Sequence, residues 1–212
     1  MAAEDSLRAA VFDFGGVIAE EGFRDGLEVI AQRHGYDIRA FFAAAQQLVY
    51  DTGYVVGRAG EADFWRALRA RFPLPEPDAE LTAVVLDHFQ PRPRMLAAVD
   101  LLRRHGRVTA LLSDQTDWLE RLDRRHGLFR HFDHVFNSYR LGRSKRDPAL
   151  FPEVTQRLGL PPAQILFLDD DRGNVERARA AGWRTCRCST EQGCLTTLQS
   201  YFPFIPRLAE ID

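Results

Sequence analysis

Three short runs, Ala9–Phe14, Val108–Leu112 and Ile165–Leu168, are nearly continuous in apolar residues, and each is followed by a serine or an aspartate or contains one near its end. Such a run has no solvent-facing side, so it suits a parallel strand buried on both faces. Two weaker runs, His134–Phe136 and Arg184–Cys188, bring the predicted strands to five. Helical patterns separate them. Arg94–His105 sets Met95, Leu96, Val99 and Leu102 on one stripe and stops at Gly106, a residue suited to a helix C-terminus. Asp147-Pro148 predicts a helix start, with Asp147 as N-cap, running to Leu158 before Gly159. A third helix is predicted after Asp171, continuing to Ala181 before Gly182. Strands alternating with helices predict a Rossmann-like, doubly wound α/β sheet.

One stretch departs from the alternation. From about Phe23 to Phe89 the patterns are helical only: Arg24–His34, Asp37–Tyr50, Glu61–Phe72 and Asp78–Phe89. Phe64, Trp65 and Leu68 are spaced to share one helix face, which is the pattern of packing. Pro73, Pro75 and Pro77 interrupt the stretch, and Pro91 and Pro93 mark its exit. A block of helices inserted after the first strand reads as an α-helical cap. The expected division is a core of residues 1–20 and 90–212 and a cap of residues 21–89.

The chain has 212 residues, enough for one core plus a modest insertion. Its 28 Lys and Arg nearly balance 30 Asp and Glu, which argues against a nucleic-acid-binding face. No stretch is apolar enough to span a membrane, and the N-terminus lacks a signal core. Cys186, Cys188 and Cys194 are a poor disulfide framework and an incomplete zinc site, so free structural thiols in a reducing cytoplasm are expected. Lys145 is the one lysine.

In an open parallel sheet, ligands bind outside the carboxyl ends of the strands. The first strand ends in Asp13-Phe14-Gly15-Gly16, the second leads into Ser113-Asp114-Gln115-Thr116, and the fourth into Asp169-Asp170-Asp171. Lys145 follows the third. Gathered at one edge, these carboxylates would repel one another. A hard divalent ion with oxygen ligands relieves that, and magnesium (Mg2+) is the usual ion where phosphate is handled. An aspartate beside it could attack phosphorus, with Ser113 and Lys145 on the non-bridging oxygens. Taken singly, each residue also has an ordinary role as a turn, cap or surface charge.

VFDFGGVI, ALLSDQT, GRSKRDPALF and ILFLDDDRGNVERARAAGW resemble, in order, the four signature motifs of the haloacid dehalogenase (HAD) superfamily, over about residues 8 to 188. The insertion resembles the helical cap of its dehalogenase-like branch. The resemblance implies a five-stranded parallel core with the first strand central and the fourth beside it. It implies a hydrolase in which Asp13 is nucleophile and metal ligand, Ser113 the second-motif hydroxyl and Lys145 the third-motif base. Asp170 would be the principal acidic metal ligand with Asp169 its neighbour, and Asn174 a further polar residue acting through water. A small phosphorylated substrate would meet Ser113, Asp114 and Lys145.

Two positions depart from the pattern. Phosphatases of the family usually carry a second aspartate two residues after the nucleophile, as general acid and base. Here Gly15 stands there, able to offer only its carbonyl to a metal. Asp114 stands where Asn is common and adds a negative charge near a dianion. Asp114 or Glu20 could replace the missing acid. The main reading is a magnesium-dependent phosphatase. The alternatives are a metal-independent haloacid dehalogenase and a catalytically weak phosphate-binding regulatory module. Tyr54, Arg58 and Trp65 are cap candidates for specificity.

Overall fold

A computed structural model describes residues 7–205. Among these, β1 (Ala9–Phe12) leads into α1 (Gly22–Arg33), α2 (Ile38–Asp51), α3 (Glu61–Arg69) and α4 (Asp78–His88). The chain continues through α5 (Pro93–Arg104), β2 (Val108–Ser113), α6 (Trp118–His126), β3 (His134–Asn137) and α7 (Ser138–Leu141). It ends with α8 (Leu150–Leu158), β4 (Ile165–Asp169), α9 (Arg172–Ala180), β5 (Arg184–Arg187) and α10 (Glu191–Tyr201). The sheet is all-parallel with order β3-β2-β1-β4-β5, so β1 is central and β4 beside it, as expected.

Burial explains which runs became inner strands. Every residue of β1 and β4 is buried, whereas β5 at the edge is only partly so. One face of the sheet packs Val11, Leu112 and Phe167 against Phe151, Val154 and Trp183; the other joins Phe12, Leu111 and Leu168 to the inserted helices. Along α5, Met95, Val99 and Leu102 are buried and Leu96 partly so, as the predicted stripe requires.

Within the insertion α1 packs on α2 and α4, and α3 against α2 and α4. Its apolar interior is continuous with that of the sheet. Trp118, on α6, stands among Phe23, Tyr54, Phe64 and Trp65. Polar bonds add to this seam: Trp118 Nε1 and Arg121 donate to Glu61 at 2.6 Å each, and Ser138 Oγ donates to the Val55 carbonyl at 2.7 Å. The two connecting segments also bind each other, Glu20 N to the Gln90 carbonyl at 2.9 Å and Arg92 N to the Ile18 carbonyl at 2.8 Å.

Two expectations change. The helix after Asp147-Pro148 begins later, at Leu150, with Ala149 at its N-cap. Asp147 Oδ1 accepts instead from Ala149 N at 2.9 Å, a local turn that competes with capping. Cys188 and Cys194 are not free thiols but form a disulfide with a Cα–Cα distance of 5.2 Å, leaving Cys186 free. The six-residue separation lets α10 fold back against β5, a geometry that counting cysteines does not reveal. No helix among the described residues is long and apolar enough to cross a membrane.

Candidate active site

The order β2-β1-β4 explains the site. Three adjacent strands end close together: Phe12 pairs with Leu168 and Leu111, so Asp13 and Asp169 stand level at the carboxyl edge and Ser113 one residue beyond them. Asp13 N donates to the Leu168 carbonyl at 2.9 Å, extending the ladder to Asp13 itself. Asp13 Oδ1 accepts from Phe14 N at 2.7 Å and lies 2.7 Å from Lys145 Nζ. Its other oxygen receives no hydrogen bond from a described residue, while the side chain borders the cleft. Ser113 is buried at the cleft wall.

Lys145 is brought in by its loop. Its backbone N donates to Asp114 Oδ1 at 2.7 Å, and its ammonium, 1% exposed, donates to Asp169 Oδ2 at 2.6 Å. Burial disfavours its charge, but Asp13, Asp169 and Asp114 outweigh that and hold it protonated, above the ordinary lysine range. Asp169 is heavily committed: Oδ1 accepts from Asp171 N at 2.7 Å and Asn174 Nδ2 at 3.3 Å, and Oδ2 accepts from Asn174 Nδ2 at 3.1 Å besides Lys145. Asn174 thus touches the acid directly. Asp170 borders the cleft.

Carboxylate oxygens of Asp13, Asp169 and Asp170 lie within 4.8 Å of one another. Burial raises the pKa of Asp13, opposed by Lys145 and reinforced by Asp169 and Asp170. Burial, then Asp169, likewise raises Asp170. One ammonium does not balance three such groups, and the donors are all hard oxygens. The residues therefore fit a divalent cation such as magnesium. Asp170 carries the less committed oxygens, whereas Asp169 serves Lys145 and Asn174 and one oxygen of Asp13 serves Phe14 N and Lys145.

Gly16 makes the approach of Asp170 feasible. Its φ of 72° is left-handed, and a Cβ there would stand 2.6 Å from Asp170 Oδ2. Gly16→Ala is expected to displace Asp170 and weaken magnesium affinity by about 10- to 100-fold, as for supporting residues of metal sites. Magnesium titration of activity checks this; an unchanged half-saturating concentration would remove Asp170 from the metal site.

Several sequence candidates are engaged by neighbouring residues. Asp114 lines the cleft, but one oxygen accepts from Lys145 N at 2.7 Å and the other from Tyr50 OH at 2.9 Å. Its added charge is thereby bound to the backbone and to α2. Glu20 pairs with Arg92 at 2.9 and 2.7 Å, which draws it away from the missing-acid role. Tyr54 and Trp65 are buried, donating to Asp117 and Thr82 respectively, and Arg58 lines a separate surface groove. In place of Tyr54, Arg58 and Trp65, the insertion lines the cleft with Arg24, Phe42, Gln46 and Tyr50, joined by Arg146, whose guanidinium lies 3.4 Å from the Tyr50 ring centroid. Positions 42, 46, 49 and 50 recur at helical spacing, a signal readable on α2 but not distinguishable there from packing. Glu21 also borders the cleft, with burial and the nearby Asp170 pushing its carboxyl up to about 7.

The haloacid dehalogenase-like hydrolase model matches residues 7–182. The chain is 28% identical over 123 residues to bifunctional epoxide hydrolase 2 of Rattus norvegicus, an alignment covering 53% of this chain and 22% of that one. It is 32% identical over 69 residues to enolase-phosphatase E1 of Serratia proteamaculans, covering 32% of this chain and 29% of the relative. These matches span less than a third of either relative's length. Among solved structures, a HAD family enzyme of Bacteroides thetaiotaomicron in complex with magnesium and inorganic phosphate superposes with a TM-score of 0.69 at 20% identity, covering 87% and 96% of the two chains. L-2-haloacid dehalogenase of Xanthobacter autotrophicus superposes with a TM-score of 0.65 at 19% identity, covering 94% and 85%. With its motif residues at one sheet edge and the family model spanning most of its length, the chain belongs to the haloacid dehalogenase-like hydrolases.

Proposed function

We propose that the protein is a magnesium-dependent phosphatase that hydrolyses a small phosphorylated metabolite through an aspartyl-phosphate intermediate. The observation that carries this reading is the group Asp13, Asp169 and Asp170 around Lys145, an arrangement of hard oxygen donors suited to a cation and a dianion together. Asp13, Asp170 and the Gly15 carbonyl would hold magnesium, which when bound offsets the charge of the phosphate oxygens. Asp13 attacks phosphorus with its unengaged oxygen. Lys145 holds the other oxygen, orients the carboxylate and, with Ser113, stabilises the non-bridging oxygens as charge shifts onto them. Asp169 and Asn174 keep the ammonium in place. Helices α1 to α4, roughly the cap expected at residues 21–89, cover the cleft and present Arg24, Gln46 and Tyr50 to the substrate.

Relatives point the same way, since an enolase-phosphatase matches in sequence and a similar fold binds magnesium with phosphate. One observation favours the dehalogenase alternative: Gly15 leaves position 15 without a carboxylate, and L-2-haloacid dehalogenase shares the fold. The regulatory alternative loses one of its supports, because Asp114 is tied to Lys145 N and Tyr50. Hydrolysis of an aryl phosphate is expected to require magnesium and to stop with chelator. Release of halide from a 2-haloacid in chelator, with no phosphate release in magnesium, would overturn the proposal.

A further inference from the structure

Gly15 leaves the nucleophile loop without a side chain that could protonate a departing oxygen. The space beside it is nevertheless filled by a carboxylate. A Cβ built on Gly15 would stand 3.2 Å from Glu21 Oε1 and 3.4 Å from Glu21 Oε2. Glu21 thus brings its acid to the spot from which a side chain at position 15 would start.

Two further observations concern how it is held. Glu21 is the residue immediately before α1, where a polar side chain ordinarily turns back to cap the helix. It makes no such bond, and no described residue donates a hydrogen bond to its carboxylate. The group instead borders the cleft shared with Asp13, Ser113, Lys145 and Asp170. Its backbone is pinned on both sides. Glu20 N binds the Gln90 carbonyl at 2.9 Å, and Gly22 lies so near the next segment that a Cβ would meet Phe89 N at 2.5 Å. The adjacent Glu20 is occupied by Arg92, so of the two neighbouring acids only Glu21 is turned toward the reaction.

We propose that Glu21 is the general acid and base of this site, acting from the entrance to the helical insertion in place of the carboxylate that Gly15 lacks. The assignment rests on the phosphatase reading. In the first half-reaction Asp13 forms a bond to phosphorus, the bond from phosphorus to the leaving oxygen breaks, and the Glu21 carboxylic acid gives its proton to that oxygen. In the second, the Glu21 carboxylate takes a proton from water as the water oxygen attacks phosphorus. The bond to Asp13 breaks, phosphate leaves, and both acids return to their starting states.

The test is a series of phosphate monoesters with graded leaving groups, from nitrophenyl to simple alkyl, followed in single turnover with magnesium. Wild type, Glu21→Gln and the double variant Glu21→Ala with Gly15→Asp are compared, each checked for an unchanged thermal transition. Wild type should show a shallow dependence on leaving-group acidity. Glu21→Gln should lose about 100- to 10,000-fold on alkyl esters and little on nitrophenyl phosphate, so the dependence steepens. The double variant should regain alkyl turnover, because the aspartate introduced by Gly15→Asp would then have the room that Glu21 occupies. An equal loss across the series, or none, would overturn the assignment of Glu21. A steep dependence already present in wild type would do the same. If wild type hydrolyses no phosphate ester in magnesium, the phosphatase reading itself fails, a result distinct from each of these.

Discussion

Asp13→Asn is expected to give a folded protein whose turnover falls by about a thousandfold or more, the scale of losing a nucleophile. The amide is nearly isosteric, and its oxygen can still accept from Phe14 N and Lys145 Nζ, the two bonds that position the side chain. Folding should therefore survive. Chemistry should not, because an amide cannot form the acyl-phosphate bond. Phosphate release from a nitrophenyl ester, together with a thermal melt, checks both halves. Retained turnover with contamination excluded would show that another group attacks phosphorus. An unfolded variant would show that the Asp13 to Lys145 pair holds the sheet edge together rather than merely equipping it.

Lys145→Met should affect both activity and stability. The ammonium is buried between Asp13 at 2.7 Å and Asp169 at 2.6 Å, and its loss leaves two carboxylates without their cation. Removing one partner of a buried ion pair typically costs about 3 to 5 kcal/mol, because the remaining charge stays desolvated. A drop of that size should appear as a clearly lower thermal midpoint in chelator. The catalytic loss should be at least about 3 kcal/mol in activation free energy, by analogy with removing one preorganised donor. Magnesium should restore part of the stability, since it can neutralise the same acids, but not the rate. Wild-type efficiency in the variant would reduce Lys145 to a structural cation.

Much of the fold was legible because buried parallel strands leave a strong signature. Ala9–Phe12 and Ile165–Leu168 are unbroken apolar runs, and the structure places them at the centre of the sheet. The helices α6 and α10 left weaker traces. In α6 only Trp118, Leu119 and Leu122 are buried in a segment otherwise rich in charge. In α10, Gly193, Thr196 and Thr197 are poor helix formers, and burial of Cys194, Leu195 and Leu198 overrides that preference. The disulfide was illegible because it depends on where α10 returns in space.

The site divides the same way. Asp13, Ser113, Lys145, Asp169 and Asp170 were readable because each follows a strand or its loop, and strand order brings those ends together. Asp114 was legible as a residue but not as a contact, since its partners Tyr50 and Lys145 N come from distant segments. Glu21 was invisible because its neighbour Glu20 looks identical in sequence. Only the crossing of the two connecting segments turns one toward Arg92 and the other toward the cleft.

The burial of the one lysine has a consequence beyond catalysis. Among the described residues the native surface offers no side-chain amine, because Lys145 is 1% exposed and engaged by two acids. An amine-acylating reagent meets that side chain only in molecules whose catalytic edge has opened. When reclosing outpaces labelling, the acylation rate measures the equilibrium population of that opened form. The protein therefore carries an intrinsic, residue-specific gauge of local unfolding at its candidate active site, and a ligand bound there lowers the logarithm of the labelling rate in proportion to the stability it adds.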